Sequence, residues 1–334
     1  MKFVKYQDIK NVYIERFINK IIFEKKDDGL WIVTEKIHGA NFSFWWNTGE
    51  NIRIAKRTCF LDDNSNFFRI DRIKNLIINK INYLIELISL EEGEINEIGV
   101  FGELFGGSYP HPDVLRDNDA KKIGKGVWYY PRNDFIVFDI KVNGHFLPFK
   151  IMHSYCKSVD LNVIDILFEG TMKECLEYTN KFESTIYQRY NLPKIEDNIC
   201  EGIVIRPNET KYLSNGERVI LKSKNERFSE KSHEKKRLPQ IPHEWTDVGK
   251  VATELILSLI TEMRYDSIIS KIGKVENKDF GKICGLFAED VFKEFNDISE
   301  IHFDQIEKEE QKIIRKEMGR QIPNIIRNKL ILGR

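Results

Sequence analysis

Cysteine is scarce in this chain and follows no ligand pattern. No C-x-x-C pair occurs among the 334 residues, and the five cysteines are Cys59, Cys156, Cys175, Cys200 and Cys284. An odd number of widely spaced cysteines argues against a disulfide framework, and the lack of paired cysteines argues against a zinc ribbon. The sequence therefore predicts free thiols in a reducing compartment, the cytoplasm.

The chain also lacks an excess of either charge and lacks a long apolar run. Lys and Arg number 52, as do Asp and Glu, so the formal net charge is zero at pH 7. No global field would then draw nucleic acid to the protein, and any basic surface must be local. No apolar run approaches the roughly 18 residues of a membrane span, and the first residues show no signal-peptide segment. We expect no membrane partner.

The hydrophobic pattern divides the chain into a strand-rich first part and a helical last part. Runs rich in β-branched and aromatic residues predict strands within 31–46, 51–58, 98–107, 135–140, 200–207 and 218–224. Helical periodicity occurs at 11–23, 71–90, 248–265, 279–295 and 303–332. We predict an α+β fold with antiparallel sheets and flanking helices in 1–238, a linker at 239–244 and an all-α domain at 245–334.

The stretch 31–46 combines two strand-like runs with a short turn that contains Gly39. This pattern predicts a β-hairpin, with Lys36 where the first strand ends. The turn would present Lys36, His38 and Asn41 from a rigid, packed base. Taken alone, a lysine at a strand end is more often a solvated edge residue.

Ionisable residues recur where predicted strands begin or end. They are, in chain order, Lys36, Arg57, Glu103, Asp139, Glu201, Lys222 and Lys224. Each one alone is consistent with an ordinary surface charge. Together they are typical of a nucleotide pocket into which each strand delivers one side chain. The Gly- and Pro-containing segment 106–132 is predicted to be an exposed, mobile loop.

The motif Lys-x-His-Gly-x-Asn at 36–41, followed by these charged strand ends, resembles the RNA ligase 2 family of ATP-dependent polynucleotide ligases. That family includes phage and viral nick-sealing enzymes and the trypanosome RNA-editing ligases. The resemblance implies a nucleotidyltransferase domain of the ATP-grasp-like ligase type, a monomer that uses ATP with Mg²⁺ or Mn²⁺, and nicked double-stranded RNA or an RNA-containing duplex as substrate. A viral or phage origin is compatible with it.

The resemblance also implies roles for individual residues. Lys36 would be the nucleophile that becomes adenylylated. ATP or AMP would be bound by Glu35, Ile37, Asn41, Arg57, Glu103, Phe138, Lys222 and Lys224. Asp139 and Glu201 would hold the metal, directly or through water, and nucleic acid would be contacted by Arg206, Lys271, Lys278 and Lys282. For Phe138, a core aromatic of its strand is a nearly equal alternative to stacking on adenine.

Three other functions remain open at this point. DNA ligases and mRNA guanylyltransferases usually carry Asp where this chain has His38, and both usually carry a strand-rich C-terminal domain that is not predicted here. A nucleic-acid-binding protein that retains the fold without catalysis is the third alternative. The complete series of charged residues from Lys36 to Lys224 disfavours it, because a binding module has no need of a nucleophilic lysine.

Overall fold

The computed structural model describes residues 1–232, 238–239, 245–273 and 275–332. The strands formed by these residues are β1 (Lys10–Asn11), β2 (Trp31–Glu35), β3 (Ala40–Asn47), β4 (Arg53–Lys56), β5 (Cys59–Phe60), β6 (Glu97–Ser108), β7 (Tyr130–Val142), β8 (His145–Phe146), β9 (Ile166–Gly170), β10 (Gly202–Pro207) and β11 (Leu221–Lys224). The helices are α1 (Glu15–Phe23), α2 (Lys74–Glu92), α3 (Phe149–Ser158), α4 (Met172–Glu177), α5 (Ile186–Arg189), α6 (Asp247–Ser258), α7 (Glu262–Ile272), α8 (Phe280–Ile298) and α9 (Lys308–Leu332). The expected α+β class is confirmed.

The strands form two sheets. A five-stranded sheet has the order β1-β11-β10-β2-β9, and a six-stranded sheet has the order β5-β4-β3-β6-β7-β8. All pairs are antiparallel except β1 with β11. The antiparallel arrangement predicted from sequence is therefore largely confirmed.

The predicted hairpin at 31–46 is wrong. Strand β2 pairs with β10 and β9 in one sheet, and β3 pairs with β4 and β6 in the other. Residues 36–39 thus cross from sheet to sheet instead of turning back along the same sheet. The side chains of β2 are all buried, which is the pattern of a central strand rather than of a hairpin arm at an edge.

Aromatic residues fill the core next to the six-stranded sheet. The rings of Phe42, Phe44 and Phe135 pack edge-on, with the Phe44 and Phe135 centroids 5.2 Å apart. Trp45, on the opposite face of β3, is also fully buried and packs against Phe101. Both faces of β3 are therefore covered, which holds the start of this strand rigidly beside the crossing segment.

Helix bounds differ from the sequence-based expectation mainly at the ends. The predicted helix at 11–23 begins only at Glu15, because residues 10 and 11 pair with β11. The predicted helix at 248–265 is two helices, α6 and α7. They separate at Thr261, whose hydroxyl accepts a hydrogen bond from the backbone N–H of Arg264 at 3.2 Å. This capping contact explains a break that the apolar periodicity does not show.

The described chain forms two compact units. One contains Met1–Val12, Phe17–Arg227 and Ser270–Gly273, and the other contains Tyr13–Arg16, Phe228–Ile269 and Lys274–Arg334. Most of the predicted linker at 239–244 lies outside the described residues. The domain boundaries at 238 and 245 stay a prediction. No helix among the described residues is long and apolar enough to cross a membrane.

Candidate active site

The segment that joins the two sheets carries Lys36 and Gly39. The backbone N–H of Lys36 donates to the carbonyl oxygen of Gly202 at 2.8 Å, which extends the β2 and β10 pairing by one residue. At Gly39 a Cβ atom would lie 2.0 Å from the carbonyl oxygen of Leu104. Only glycine permits this approach of the crossing segment to β6. The nucleophile candidate is therefore fixed between both sheets by backbone contacts.

Glu201 is the centre of a charged cluster at this junction. One carboxylate oxygen, Oε2, lies 2.8 Å from Lys36 Nζ and 3.3 Å from His38 Nδ1. The other oxygen, Oε1, lies 3.1 Å from Lys224 Nζ. Register explains the proximity, because Gly202 in β10 is opposite Lys224 in β11. Two adjacent strands and the crossing segment thus converge on one carboxylate.

The electrostatics of Glu201 follow from this crowding. Burial alone would raise the pKa of its carboxyl group, but Lys36, Lys224 and His38 together hold that pKa well below its ordinary value. Glu201 is therefore an anion across the physiological pH range. A buried anion with several cationic neighbours is suited to bind a further cation when one neighbour moves away.

The six-stranded sheet contributes Asn41 and Glu103. The two residues are directly opposite each other in the β3 and β6 pair, so their side chains project from the same face. Burial raises the pKa of Glu103 to about 7; Lys36 and Arg57 oppose this rise, and Glu201 adds to it. These mutual influences bring Glu103 electrostatically into the cluster around Lys36, and its binding of a ribose hydroxyl stays a prediction.

Arg57 follows β4 and is half-buried, with its guanidinium paired to Asp8. Lys222 and Lys224 are two residues apart on β11, so both side chains extend from one face of the strand. Lys224 contacts Glu201, whereas Lys222 is opposite Val204 of β10.

Asp139 does not belong to this cluster, and its predicted role as a metal ligand is not supported by its surroundings. The side chain is 0% exposed and its carboxylate pairs with Arg206 at 3.0 Å and with Arg218. Tyr6 is the third partner, and its Oη donates a hydrogen bond to Asp139 at 2.7 Å. Burial would raise the pKa of Asp139, but the two guanidinium groups lower it below its ordinary value. Both oxygens of Asp139 are engaged by buried cations, so a metal could bind only by displacing one of them.

Arg206 is likewise corrected. The sequence places it at a nucleic-acid surface, but the residue is 3% exposed, bonded to Asp139 and to the Phe138 carbonyl oxygen at 3.0 Å. Its guanidinium also lies over the Phe149 ring. A buried side chain with these contacts cannot reach a phosphate backbone.

The structure is compatible with both interpretations of Phe138, as a core aromatic residue and as a residue that stacks on adenine. The side chain is half-buried, and its ring packs edge-on against Tyr6 with centroids 5.2 Å apart. It is also bypassed in the pairing of β6 with β7, where Gly102 is opposite Val137 and Phe101 is opposite Asp139. This irregularity leaves Phe138 outside the regular alternation. Stacking on adenine stays a prediction.

Glu35 and Ile37, the neighbours of the candidate nucleophile, are both buried, at 3% and 6% exposure. Burial raises the pKa of the Glu35 carboxyl group to about 7. Side chains alternate along β2, so Glu35 projects away from the face that carries Lys36. Any contact of Glu35 with a nucleotide would therefore come from its backbone.

The three lysines predicted to contact nucleic acid differ in exposure. Lys271 is half-buried in the last turn of α7. Lys278 and Lys282 are exposed, and Lys278 pairs with Glu276 at 2.9 Å. Their role stays a prediction.

Sequence reasoning assigns no role to His38 and does not single out Arg218 or Tyr6. His38 proves to contact Glu201, and its backbone N–H donates to Tyr129 Oη at 2.9 Å. Arg218 and Tyr6 complete the buried cluster around Asp139. The only sequence signal for Arg218 is an arginine that opens an apolar strand-like run, which is an unusual position for a charge with no partner.

The donor set fits ATP better than it fits a metal cage. Among the described residues no group of three or more His, Cys, Asp and Glu side chains could hold an ion. Glu201 offers a hard oxygen at the centre of the cluster, where Lys36, His38 and Lys224 contact it. Mg²⁺ commonly takes one or two carboxylates and completes its shell with phosphate oxygens and water. Such a metal would enter with the triphosphate.

Two family profiles match the chain. Residues 29–224 match the family described as RNA ligase, and residues 243–324 match the T4 RNA ligase 2 C-terminal family. Together they cover most of the predicted nucleotidyltransferase part and most of the helical part.

Individual relatives are more distant. Mitochondrial RNA-editing ligase 1 of Trypanosoma brucei brucei is 26% identical over 303 residues, which cover 73% of this chain and 64% of that protein. Mitochondrial RNA-editing ligase 2 of the same organism is 24% identical over 349 residues, with 88% and 83% covered. The chain thus spans less than two thirds of the first relative's length.

Among solved structures, a Naegleria gruberi RNA ligase variant with ATP and Mn is 15% identical, with a TM-score of 0.47 over 68% of this chain and 57% of that chain. The family assignment rests on the profiles. The RNA ligase profile alone covers more than half of the sequence and includes both Lys36 and Lys224. The resemblance of the motif at 36–41 to the RNA ligase 2 family is confirmed, and this chain belongs to the RNA ligase family.

Proposed function

We propose that this protein is an ATP-dependent RNA ligase that joins 3′-hydroxyl and 5′-phosphate ends in nicked RNA duplexes. The observation that carries the proposal is the contact of Lys36 Nζ with Glu201 Oε2 at 2.8 Å, with Lys224 3.1 Å from the other oxygen. These contacts bring together the proposed nucleophile, its counterion and a cation that would bind phosphate. We propose a monomer in a reducing intracellular compartment, which its five free cysteines support.

Lys36 must lose a proton before it can attack the α-phosphate of ATP. Its Nζ contacts the Glu201 carboxylate at 2.8 Å, so the amine must leave that carboxylate before it can attack. A divalent metal at Glu201 would supply the competing positive charge and would neutralise the triphosphate. Lys36 then becomes free to form the phosphoramidate with AMP as pyrophosphate leaves.

The other residues of the junction would bind the nucleotide. Glu103 would accept hydrogen bonds from ribose hydroxyls through its ionised carboxylate. Because burial raises the pKa of this group to about 7, we expect ATP to bind more tightly above pH 7 than below it. Asn41, opposite Glu103, would orient phosphate or water. Arg57 would exchange Asp8 for a phosphate group, and Lys222 with Lys224 would bind phosphates from the other sheet.

After lysyl-AMP forms, the proposed reaction needs two further transfers. AMP would pass to the 5′-phosphate of the nick, and the adjacent 3′-hydroxyl would then attack that phosphate with release of AMP. Lys278 and Lys282 are exposed cations in the region that matches the T4 RNA ligase 2 C-terminal family. They would contact the sugar-phosphate backbone without reading sequence, together with Lys271.

Mass spectrometry after incubation with ATP and Mg²⁺ tests the first step. We expect one AMP on Lys36, no adduct in Lys36→Ala, and a normal adduct in Lys25→Ala, whose lysine is exposed. An adduct that persists in Lys36→Ala would overturn the assignment of the nucleophile. Absence of any adduct in the wild-type protein would favour a non-catalytic nucleic-acid-binding protein.

Sealing assays test the substrate. We expect a nick with RNA on its 3′-hydroxyl side to be sealed faster than an all-DNA nick. Preference for the all-DNA nick would favour a DNA ligase instead. Deletion of residues from 242 onward should reduce sealing more than lysyl-AMP formation, and equal loss of both steps would exclude a substrate-positioning role for that part.

A further inference from the structure

Residues 121–128, which we call the basic loop, carry three positive charges and no acidic residue. Lys121, Lys122 and Lys125 are all exposed. Across residues 1–232 and the other described ranges, none of the three forms an ion pair. Of the three, Lys122 makes a cation–π contact, with its Nζ 5.7 Å from the centre of the Trp128 ring. In a protein of zero net charge, three adjacent unpaired cations form a local positive surface.

Two buried asparagines hold the backbone of the basic loop. Asn133 accepts a hydrogen bond from the N–H of Lys121 at 2.8 Å and donates one to its carbonyl oxygen at 2.6 Å. Asn198 does the same for Trp128, at 2.9 Å and 2.7 Å. Both asparagine side chains are almost fully buried, at 5% and 2% exposure. The predicted mobile loop is therefore anchored at both ends of this segment.

The interior of the basic loop is also fixed. Ile123 and Val127 are each 3% exposed, so the loop inserts apolar side chains between its lysines. The backbone N–H of Ile123 donates to the carbonyl oxygen of Gly106 at 3.0 Å. At Gly107, where φ is +81°, a Cβ would lie 2.1 Å from the Lys121 carbonyl oxygen. A rigid backbone that displays unpaired lysines loses little entropy when those lysines bind a ligand.

The basic loop packs against the crossing segment that carries the candidate nucleophile. A Cβ at Gly124, where φ is +73°, would lie 2.5 Å from the His38 carbonyl oxygen and 2.8 Å from its imidazole. Directly after the loop, Tyr129 Oη accepts the hydrogen bond from the His38 backbone N–H. The loop that carries the three lysines therefore packs against the same short segment that carries Lys36.

We infer that the basic loop binds the sugar-phosphate backbone of the strand whose 5′-phosphate receives AMP from Lys36. The inference rests on the proposed function, because that strand must approach Lys36 for the transfer to occur. Three ammonium groups on a fixed backbone match a line of phosphodiesters and offer no base-specific contacts. The loop would therefore contribute affinity and placement but no sequence preference.

The triple variant Lys121→Ser/Lys122→Ser/Lys125→Ser tests this inference. Its binding to a nicked RNA duplex is measured by fluorescence anisotropy at several salt concentrations. We expect binding about 10- to 100-fold weaker at 150 mM salt, and a slope of log affinity against log salt that is smaller by about 2 to 3. The matched control is Lys2→Ser/Lys25→Ser/Lys173→Ser, which removes three exposed lysines of other segments.

Single-turnover sealing and lysyl-AMP formation are measured on the same proteins. We expect sealing to fall at least about tenfold more than lysyl-AMP formation, since the loop acts on the nucleic acid. A larger loss of lysyl-AMP formation would assign the loop to the ATP triphosphate and overturn the inference. Unchanged duplex binding with an unchanged salt slope would also overturn it. Because binding is measured directly, this result is distinguishable from a wild-type protein that forms no lysyl-AMP, which would reject the proposed function itself.

Discussion

Two buried carboxylates in this protein, Glu201 and Asp139, have nearly the same exposure, 2% and 0%, and opposite surroundings. Glu201 is paired with Lys36, His38 and Lys224, whose side chains are 21%, 18% and 12% exposed. Asp139 is paired with two arginines whose side chains are each 3% exposed. The pKa values of both carboxyl groups are lowered by their cationic partners, against the effect of burial.

The difference lies in what the partners can do. Ammonium and imidazole groups that reach solvent can move away or lose a proton, so Glu201 can exchange one cation for another. Guanidinium groups stay charged and their planar geometry fixes both oxygens of Asp139. A buried carboxylate with mobile partners is suited to chemistry, and one with fixed partners is suited to structure. Four substitutions test this distinction.

The largest effect is expected from Glu201→Gln. The amide keeps the size of the side chain but removes the charge that attracts Lys36, Lys224 and a metal. We expect the rate of lysyl-AMP formation to fall by about 1,000-fold or more, measured with labelled ATP, because electrostatic stabilisation of this kind contributes several kcal/mol. The thermal unfolding midpoint should fall less than that of Asp139→Asn, because Lys36, His38 and Lys224 reach solvent and can be hydrated when the charge is lost. A variant that unfolds easily would place Glu201 with Asp139 as a structural residue.

Asp139→Asn should show the reverse pattern. Loss of the charge leaves Arg206 and Arg218 buried without a counterion, and we expect unfolding to become easier by about 3–5 kcal/mol, measured with urea. In protein that remains folded, the concentration of Mg²⁺ needed for half-maximal lysyl-AMP formation should equal that of wild type. A marked increase in that concentration would restore Asp139 as a metal ligand.

The sequence treats Glu201 and Asp139 as equivalents, because one opens and the other closes a run of apolar residues and the family resemblance implies a metal ligand at both. Their difference depends on residues far away along the chain, since Tyr6 and Arg218 approach Asp139 only through tertiary packing. Strand positions were easier to predict, because the alternation of β-branched and aromatic residues is local. The pairing partner of each strand could not be predicted, because it depends on residues far away in the sequence. This explains why β2 and β3 were predicted to form one hairpin.

Within the site, the motif at 36–41 carried most of the information. Gly39 meets a tertiary requirement, because a Cβ there would lie 2.0 Å from the carbonyl oxygen of Leu104 in β6. The contact of His38 with Glu201 links residues 163 positions apart, 201 minus 38, and no local pattern reveals it. The anchoring of the basic loop by Asn133 and Asn198 is equally non-local.

Glu35 provides a third, intermediate case: a buried carboxyl group whose pKa is raised rather than lowered. Burial raises this pKa from 4.5 to about 7, so the folded state holds the proton more tightly than the unfolded state. The contribution of Glu35 to the free energy of unfolding is therefore most favourable below pH 4.5, and it decreases as the pH rises towards 7. Glu35→Gln has no proton to lose. It should be more stable than wild type by about 3 kcal/mol above pH 7, and by less at pH 5.

Urea unfolding of both proteins between pH 4 and 8 measures this difference. Glu317→Gln is a matched control, because Arg320 is the main cause that lowers the pKa of Glu317, and the sign reverses. Wild type should therefore be the more stable protein in that comparison above about pH 4.5. A Glu35→Gln difference that does not vary with pH would show that the Glu35 carboxyl group is not buried with a raised pKa.

The smallest effect on the fold is expected from Lys278→Ser, because this charged residue is exposed whereas Glu201, Asp139 and Glu35 are buried. Its side chain is 77% exposed, and its Nζ pairs with Glu276 at 2.9 Å, a surface ion pair of the kind that adds little stability. The thermal midpoint should therefore match that of wild type. If Lys278 contacts RNA, sealing should weaken by a few-fold and the loss should shrink at high salt, because screening removes the advantage of wild type. If Lys278→Ser and wild type seal equally well at both low and high salt, Lys278 has no role in binding. The functional cations would then be restricted to those near Lys36.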